Sequence, residues 1–159
     1  MGIGAKVSEA VASWRSAGCG WRCIRLIVAQ RLLRALCPDC SVKSAPRADV
    51  KDAALAMVRD SGLAWSDIPG EFRQPKGCDA CNLTGFRGRI LVTETIELTP
   101  EISSLLQKTS DPAALQDAAV SQGMVPLSVA ALRRAGRGET SLAEVVLNCA
   151  ASVPARTGN

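Results

Sequence analysis

The sequence predicts a mainly α-helical protein with a short β segment, organised as a tetracysteine zinc module followed by a small C-terminal helical bundle. Four of its seven cysteines form two C-x-x-C pairs, Cys37 with Cys40 and Cys78 with Cys81. Residues 89–98 are strand-like, because β-branched residues nearly alternate with polar ones. After this strand, four segments each begin with residues that suit the start of a helix.

The two cysteine pairs are separated by 37 residues. A C-x-x-C turn directs both thiolates at one ion, and two such turns complete a tetrahedron of four sulfurs, which is typical of a structural zinc site. The sequence therefore predicts that Cys37, Cys40, Cys78 and Cys81 bind zinc. A formal charge of −2 on such a site could be offset by nearby cations, of which the candidates are Lys43, Lys76, Arg87 and Arg89.

The alternative for these cysteines is a redox-active or incidental set of thiols. In a redox C-P-x-C pair the first cysteine lies at a helix N-terminus, which lowers its pKa. Here the pair is expected to follow a helix over residues 22–36, near its negative end, which disfavours a thiolate without metal. That helix is apolar nearly all round, and Pro38 cannot continue it. Cys19, Cys23 and Cys149 are interpreted as small buried apolar residues.

Helix signals divide the remaining chain. Residues 49–61 predict a helix that ends at Gly62. Thr99-Pro100, Asp111-Pro112 and Pro126 each predict a helix start, and Ser141 to Glu144 is a capping box for the last helix. The predicted organisation is a divergent basic segment (1–27), a helix plus the zinc-binding module (28–98), a C-terminal helical bundle (99–149) and a flexible tail (150–159).

Several segments carry a family resemblance. Residues 29–36 read AQRLLRAL before the first cysteine pair, and residues 84–89 read TGFRGR after the second. Residues 122–124 read QGM, and residues 138–145 read GETSLAEV. Over about residues 28 to 148 the chain resembles the C-terminal part of the ATPases that drive type II secretion and type IV pilus assembly. Gln30, Arg31 and Glu94 match positions of that family, although their roles do not follow from the sequence.

The chain lacks the family's phosphate-binding loop. No G-x-x-x-x-G-K-[ST] string occurs, and there is no histidine for a histidine-containing box. We therefore expect the end of such an enzyme without its nucleotide-binding core, which cannot hydrolyse ATP itself. The resemblance implies a place in a hexameric motor on the cytoplasmic face of the inner membrane, with secretion or pilus components as partners. Arg87 and Arg89 would contact a neighbouring subunit or the thiolates, or else be solvated charges.

Charge and compartment leave a second hypothesis. Residues 1–36 carry six basic residues and one acidic residue, Glu9, so their net charge is +5. Because the whole chain has a net charge of +4, the remaining residues have a net charge of −1. An independent zinc module could bind nucleic acid through this basic third, whereas the ordinary alternative is a solvated or docking face. The few aromatic residues disfavour nucleic acid, because bases stack on aromatic rings. No apolar run approaches ~20 residues, which predicts a cytoplasmic protein whose reduced cysteines favour metal over disulfides.

Overall fold

A computed structural model describes residues 24–61, 64–108 and 111–150. Two expectations lie outside these residues: the burial of Cys19 and Cys23, and the flexible tail, of which only residue 150 is described. Within the described part, no helix is long and apolar enough to cross a membrane.

A long antiparallel ribbon organises the fold. Strand β1 (Leu26–Leu36) pairs with strand β4 (Phe86–Glu97), with Gln30 opposite Thr93. Between them in the chain, β2 (Val42–Lys43) pairs with β3 (Arg73–Gln74). The strand predicted over residues 89–98 is confirmed, although it begins three residues earlier than expected.

The helix expected over residues 22–36 is wrong, because the chain is strand β1 from Leu26 onward. Alternate side chains of β1 point to opposite faces of the ribbon. Leu33 faces the core and is fully buried, whereas Val28 and Leu32 face outward and are about half exposed. A strand that is apolar on both faces loses the period-two signal and resembles a helix that is apolar all round. This ambiguity explains the error.

Five α-helices complete the described part, which confirms a mainly helical fold with a β segment. They are α1 (Ala48–Asp60), α2 (Pro100–Lys108), α3 (Pro112–Ser121), α4 (Leu127–Gly136) and α5 (Leu142–Cys149).

Three of the predicted helix starts make the expected side-chain caps. The Asp111 carboxylate accepts from Ala113 N at 3.0 Å, and the Thr99 hydroxyl accepts from Ile102 N at 3.3 Å. At α5, the Ser141 hydroxyl accepts from Glu144 N at 3.2 Å. The carboxylate that would complete this capping box binds Arg34 instead.

Two hydrophobic clusters lie along the ribbon. The first contains buried residues of α1, α4 and α5 together with Leu33, Ile68 and Val92. The second contains buried residues of α2 and α3 together with Ile96 and Met124. The last two helices therefore pack with the segment between the cysteine pairs, while α2 and α3 pack at the other end of the ribbon.

Gly136 lets the end of α4 approach the segment before β3. Its carbonyl accepts from Glu71 N at 2.8 Å, and a Cβ atom at Gly136 would overlap the Pro69 carbonyl. This contact needs a residue without a side chain. The sequence gives no sign of this contact, since the glycine lies inside a helical pattern.

Candidate metal centre

The four cysteines of the two C-x-x-C pairs form one cluster. All four sulfurs lie within 4.8 Å of one another. The Sγ–Sγ distances are 3.9 Å for Cys37–Cys78, 3.8 Å for Cys40–Cys81 and 3.7 Å for Cys78–Cys81. Cys37, Cys40 and Cys81 are buried and Cys78 is partly exposed. Four sulfurs at this spacing can bind one metal ion.

Backbone bonds hold the first pair against the segment that follows the second. Cys37 comes directly after β1, and its N–H donates to Gly85 O at 2.9 Å. Ser41 N closes the first turn on Cys37 O at 3.0 Å. The two ends of the intervening loop therefore meet at the cluster.

A short 3₁₀ turn, Asp79–Cys81, forms the second knuckle. The chain leaves it through Asn82 and Leu83, which both have left-handed backbone conformations with φ of 50° and 60°. Leu83 N then donates to Cys78 O at 2.9 Å. Gly85, with φ of 74°, completes the turn and brings its own N–H to the cluster.

Amide donors favour the thiolate form of Cys81. Cys78 N and Gly85 N each lie 3.2 Å from Cys81 Sγ. Burial raises the pKa of Cys81, but the hydrogen bonds from these two amides outweigh it and bring the pKa to about 6. Burial and hydrogen bonds with the other thiols raise the pKa of Cys78 to about 12. The amide donors therefore favour the thiolate form at Cys81, which is the form that binds a metal ion.

Two of the four cations predicted to lie near the cluster, Arg87 and Lys43, form ion pairs with carboxylates. Arg87 Nη1 lies 3.0 Å from Asp39 Oδ2, and Asp39 is part of the first knuckle. Lys43 Nζ lies 3.5 Å from Glu71 Oε1. Arg87 is therefore half exposed in an ion pair that joins the first knuckle to the start of β4, while its contact with a neighbouring subunit stays a prediction.

The first cysteine pair does not follow a helix. Because β1 is a strand, no helix end lies before Cys37, and the expected effect of a negative helix end on this pair is wrong. The structure offers a different reason against redox chemistry, which is that each pair contributes to one four-sulfur cluster instead of forming an isolated dithiol.

The remaining described cysteine is a core residue, as expected. Cys149 is fully buried in the first hydrophobic cluster, and burial raises the pKa of its thiol to about 11. Cys19 and Cys23 lie outside the described residues.

Glu94 has a structural role that the sequence did not reveal. Its exposed fraction is only 5%, and its Oε2 accepts a hydrogen bond from Leu127 N at 2.6 Å. Leu127 is the first residue of α4, and Pro126 before it has no side-chain acceptor. Glu94 therefore supplies the acceptor at this helix start. Gln30, by contrast, is exposed on the outward face of the ribbon.

A largely buried four-thiol cluster, closed by two C-x-x-C turns and carried on a ribbon with five helices, is a candidate metal-binding site. The family model described as Type II/IV secretion system protein matches residues 21–147. The chain therefore belongs to this family, which confirms the resemblance found in the sequence.

Curated relatives agree with this assignment. The chain is 36% identical over 120 residues to the type IV pilus assembly ATPase TfpB of Acinetobacter baylyi, which is 76% of this chain and 20% of the relative. It is 36% identical over 129 residues to the type IV pilus assembly ATPase PilB of Myxococcus xanthus, and this match covers 80% of this chain and 22% of the relative. It is 32% identical over 125 residues to type II secretion system protein E of Aeromonas hydrophila, and this match covers 76% of this chain and 22% of the relative. The chain thus spans about a fifth of the length of these relatives.

Proposed function

We propose that this chain is the C-terminal, zinc-binding portion of a type II secretion or type IV pilus assembly ATPase. It has a structural or interaction role in a protein-export motor and does not itself hydrolyse ATP. Its place is cytoplasmic, at the inner membrane, among apparatus components and other copies of the motor subunit. The family match and the fifth of the relatives' length that the chain spans support this proposal.

The four-sulfur cluster is the observation that carries the proposal. A zinc ion with tetrahedral Zn–S bonds of about 2.3 Å places its sulfurs about 3.8 Å apart. Three of the six sulfur separations, at 3.7, 3.8 and 3.9 Å, fit that spacing, and all six are within 4.8 Å. Zinc bound by Cys37, Cys40, Cys78 and Cys81 would hold the two ends of the intervening loop together. The ion would contribute to folding, because such a site forms only when the chain is folded.

The outward face of the β1–β4 ribbon supports an interaction role. Leu32 and Leu91 are opposite each other in the register, and their exposed fractions are 57% and 48%. Leu26 and Val28 extend the same apolar strip toward the start of β1, with 53% and 51% exposed. An apolar strip of this kind marks a contact surface. We propose that the remaining part of a longer motor subunit covers it.

Nucleic-acid binding has less support. Among the described aromatic residues, Trp65 stacks on Phe72 at a ring distance of 5.5 Å, and Arg34 covers the Phe86 ring at 4.1 Å. Each of these rings already contacts another side chain, and none forms part of a row of exposed aromatic residues on which bases could stack.

A segment exchange tests the proposal. The matching fifth of TfpB from Acinetobacter baylyi is replaced by residues 21–147 of this chain, and ATPase activity and pilus assembly are measured. We expect the chimera to work, and Leu32→Asp with Leu91→Asp to abolish assembly, while Thr93→Asp on the same face is tolerated better. An inactive chimera that is folded and zinc-loaded would contradict the proposal.

The isolated chain provides a second test. Calorimetric titration with Mg-ATP is expected to give no measurable binding, since the sequence has no phosphate loop. Micromolar affinity would show a nucleotide site and overturn the non-catalytic role.

A further inference from the structure

A groove lies where the metal module meets helix α5. Its volume is about 350 Å³, and none of the four clustered cysteines lines it. Apolar side chains from both sides form much of the lining: Val50, Phe72, Phe86, Leu142 and Leu147. A groove of this volume and character is large enough for a few apolar side chains of a ligand.

The charged lining of the groove is predominantly basic. Arg34, Arg47 and Arg73 line it, and the one carboxylate among the lining residues is Glu144. Arg34 already neutralises Glu144 at 2.6 Å. Arg47 pairs only with exposed Asp49, at 2.8 Å, and such an exposed pair is weak enough to exchange for another carboxylate.

Arg34 is held in a fixed position for a further anion. Its Nε and one Nη bind Glu144 at 3.0 and 2.6 Å, and its guanidinium lies 4.1 Å from the Phe86 ring centre. The side chain is nevertheless 54% exposed. A guanidinium has five N–H donors, so donors remain after these two bonds. A pre-positioned arginine loses little conformational freedom when it binds a carboxylate.

We propose that this groove binds an acidic peptide segment of a partner protein, in which an apolar side chain stands beside an aspartate or glutamate. The apolar side chain would enter between Phe72 and Leu142, and the carboxylate would bind Arg34 or Arg47. Charge complementarity selects this occupant, since the three arginines of the lining outnumber its one carboxylate by two. The inference adds a partner class to the interaction role proposed above, and it does not depend on the identity of the metal.

Peptide selection tests the inference. A random peptide display library is panned on the intact chain, and enriched peptides are synthesised with a fluorophore for anisotropy. We expect enriched peptides to place Asp or Glu next to an apolar residue. Ala143→Trp, which fills the groove from an exposed position of α5, should weaken binding by about tenfold or more. Arg47→Gln should weaken it about threefold, more at low salt.

Matched variants serve as controls. Ala56→Trp adds the same bulk, and Arg59→Gln removes the same charge, at exposed positions of α1 outside the groove lining. Both should bind the peptides as the wild type does, and metal content and circular dichroism verify that every variant is folded.

Three outcomes would overturn the inference. The first is that the same peptides are enriched equally on the wild type and on Ala143→Trp. The second is that the enriched peptides are basic. The third is that the groove binds oligothymidine or a second copy of the chain, and that Ala143→Trp removes this binding. None of these bears on the segment exchange or on metal content, so the two proposals fail separately.

Discussion

Arg34 and Glu144 join the strand that leads to Cys37 with the last helix of the chain. The Glu144 carboxylate accepts from Arg34 N at 3.1 Å, from Nε at 3.0 Å and from Nη2 at 2.6 Å. Two neighbouring bonds reinforce this contact: Thr140 Oγ1 donates to Arg34 O at 2.8 Å, and Leu36 N donates to Glu139 O at 3.0 Å. The segment before α5 thereby covers the free edge of β1 next to the metal centre.

Glu144→Gln is expected to lower the free energy of unfolding by about 1–3 kcal/mol, because charge-assisted hydrogen bonds are lost around a side chain that is only 5% exposed. The half-exposed Arg34 keeps the loss below that of a fully buried pair. Urea denaturation at neutral pH measures it. Glu139→Gln is the matched control, since Glu139 is more exposed at 31% and should cost less. Equal losses in the two variants would contradict the assigned role.

The same pair predicts a pH dependence. Burial raises the pKa of Glu144, but the hydrogen bonds and charge of Arg34 outweigh it, so the folded-state pKa lies below its usual value. A depressed carboxyl pKa contributes stability above the unfolded pKa of about 4.3, and this contribution is lost as pH falls through the folded pKa. The stability difference between wild type and Glu144→Gln should therefore be constant from pH 7 to about 5 and shrink below about 4. If the stability difference between wild type and Glu144→Gln grew as the pH fell, the predicted direction of the pH dependence would be wrong.

The metal centre predicts one zinc ion per chain, because four sulfurs converge on one point. Elemental analysis of protein expressed with added zinc measures the ratio. Cys78→Ala should lose most of the metal, whereas Cys149→Ala should retain it, since Cys149 lies in the apolar core. A ratio well below one in the wild type, or full retention in Cys78→Ala, would rule out the proposed ligands.

Gly85→Ala tests the turn that brings an amide to Cys81. Gly85 has φ of 74°, and a Cβ atom there would overlap Pro75. Gly88 has φ of 84° but open space around it, so Gly88→Ala carries only the left-handed backbone cost of about 1–2 kcal/mol. We expect Gly85→Ala to cost about 1–3 kcal/mol more than that, and to weaken zinc binding in competition with a chelator dye. Identical behaviour of the two variants would exclude a packing role for Gly85.

Part of this structure was predictable from the sequence, and the reasons differ by element. The caps at Thr99, Asp111 and Ser141 are local signals, so the helices that follow them were predicted nearly to the residue. The C-x-x-C spacing predicted that four sulfurs meet, while their role as metal ligands remains a prediction. Strand β1 was missed because its apolar residues face both sides of the ribbon.

Long-range partners leave no such local signal. Arg34 and Glu144 are 110 residues apart, and Glu94 meets Leu127 across 33 residues. Glu144 was predicted to complete a capping box, which is a local bond, and the tertiary partner took the carboxylate instead. In each case the contact depends on how the ribbon and helices pack, and a single sequence does not encode that packing in a local pattern.

The packing changes what metal removal should do. The sequence predicts a boundary after residue 98, with residues 99–149 forming a separate helical bundle. In the structure, α4 and α5 pack on α1 and Ile68, which lie inside the loop that the cysteines close. Glu71 N also bonds Gly136 O at 2.8 Å, so the end of α4 is tied to that loop. Helices α2 and α3 pack on Ile96 at the far end of the ribbon.

We therefore expect a chelator to raise amide exchange over residues 37–85 and across α4 and α5, while α2 and α3 keep most of their protection. The cause is that structural zinc contributes on the order of 10 kcal/mol in small sites, and its loss frees the loop that covers the first hydrophobic cluster. Exchange mass spectrometry with and without chelator measures this pattern, and Cys78→Ala should reproduce it without chelator. Protection retained across α4 and α5 would restore the boundary at residue 99. Uniform loss, including α2 and α3, would show that both clusters unfold as one cooperative unit.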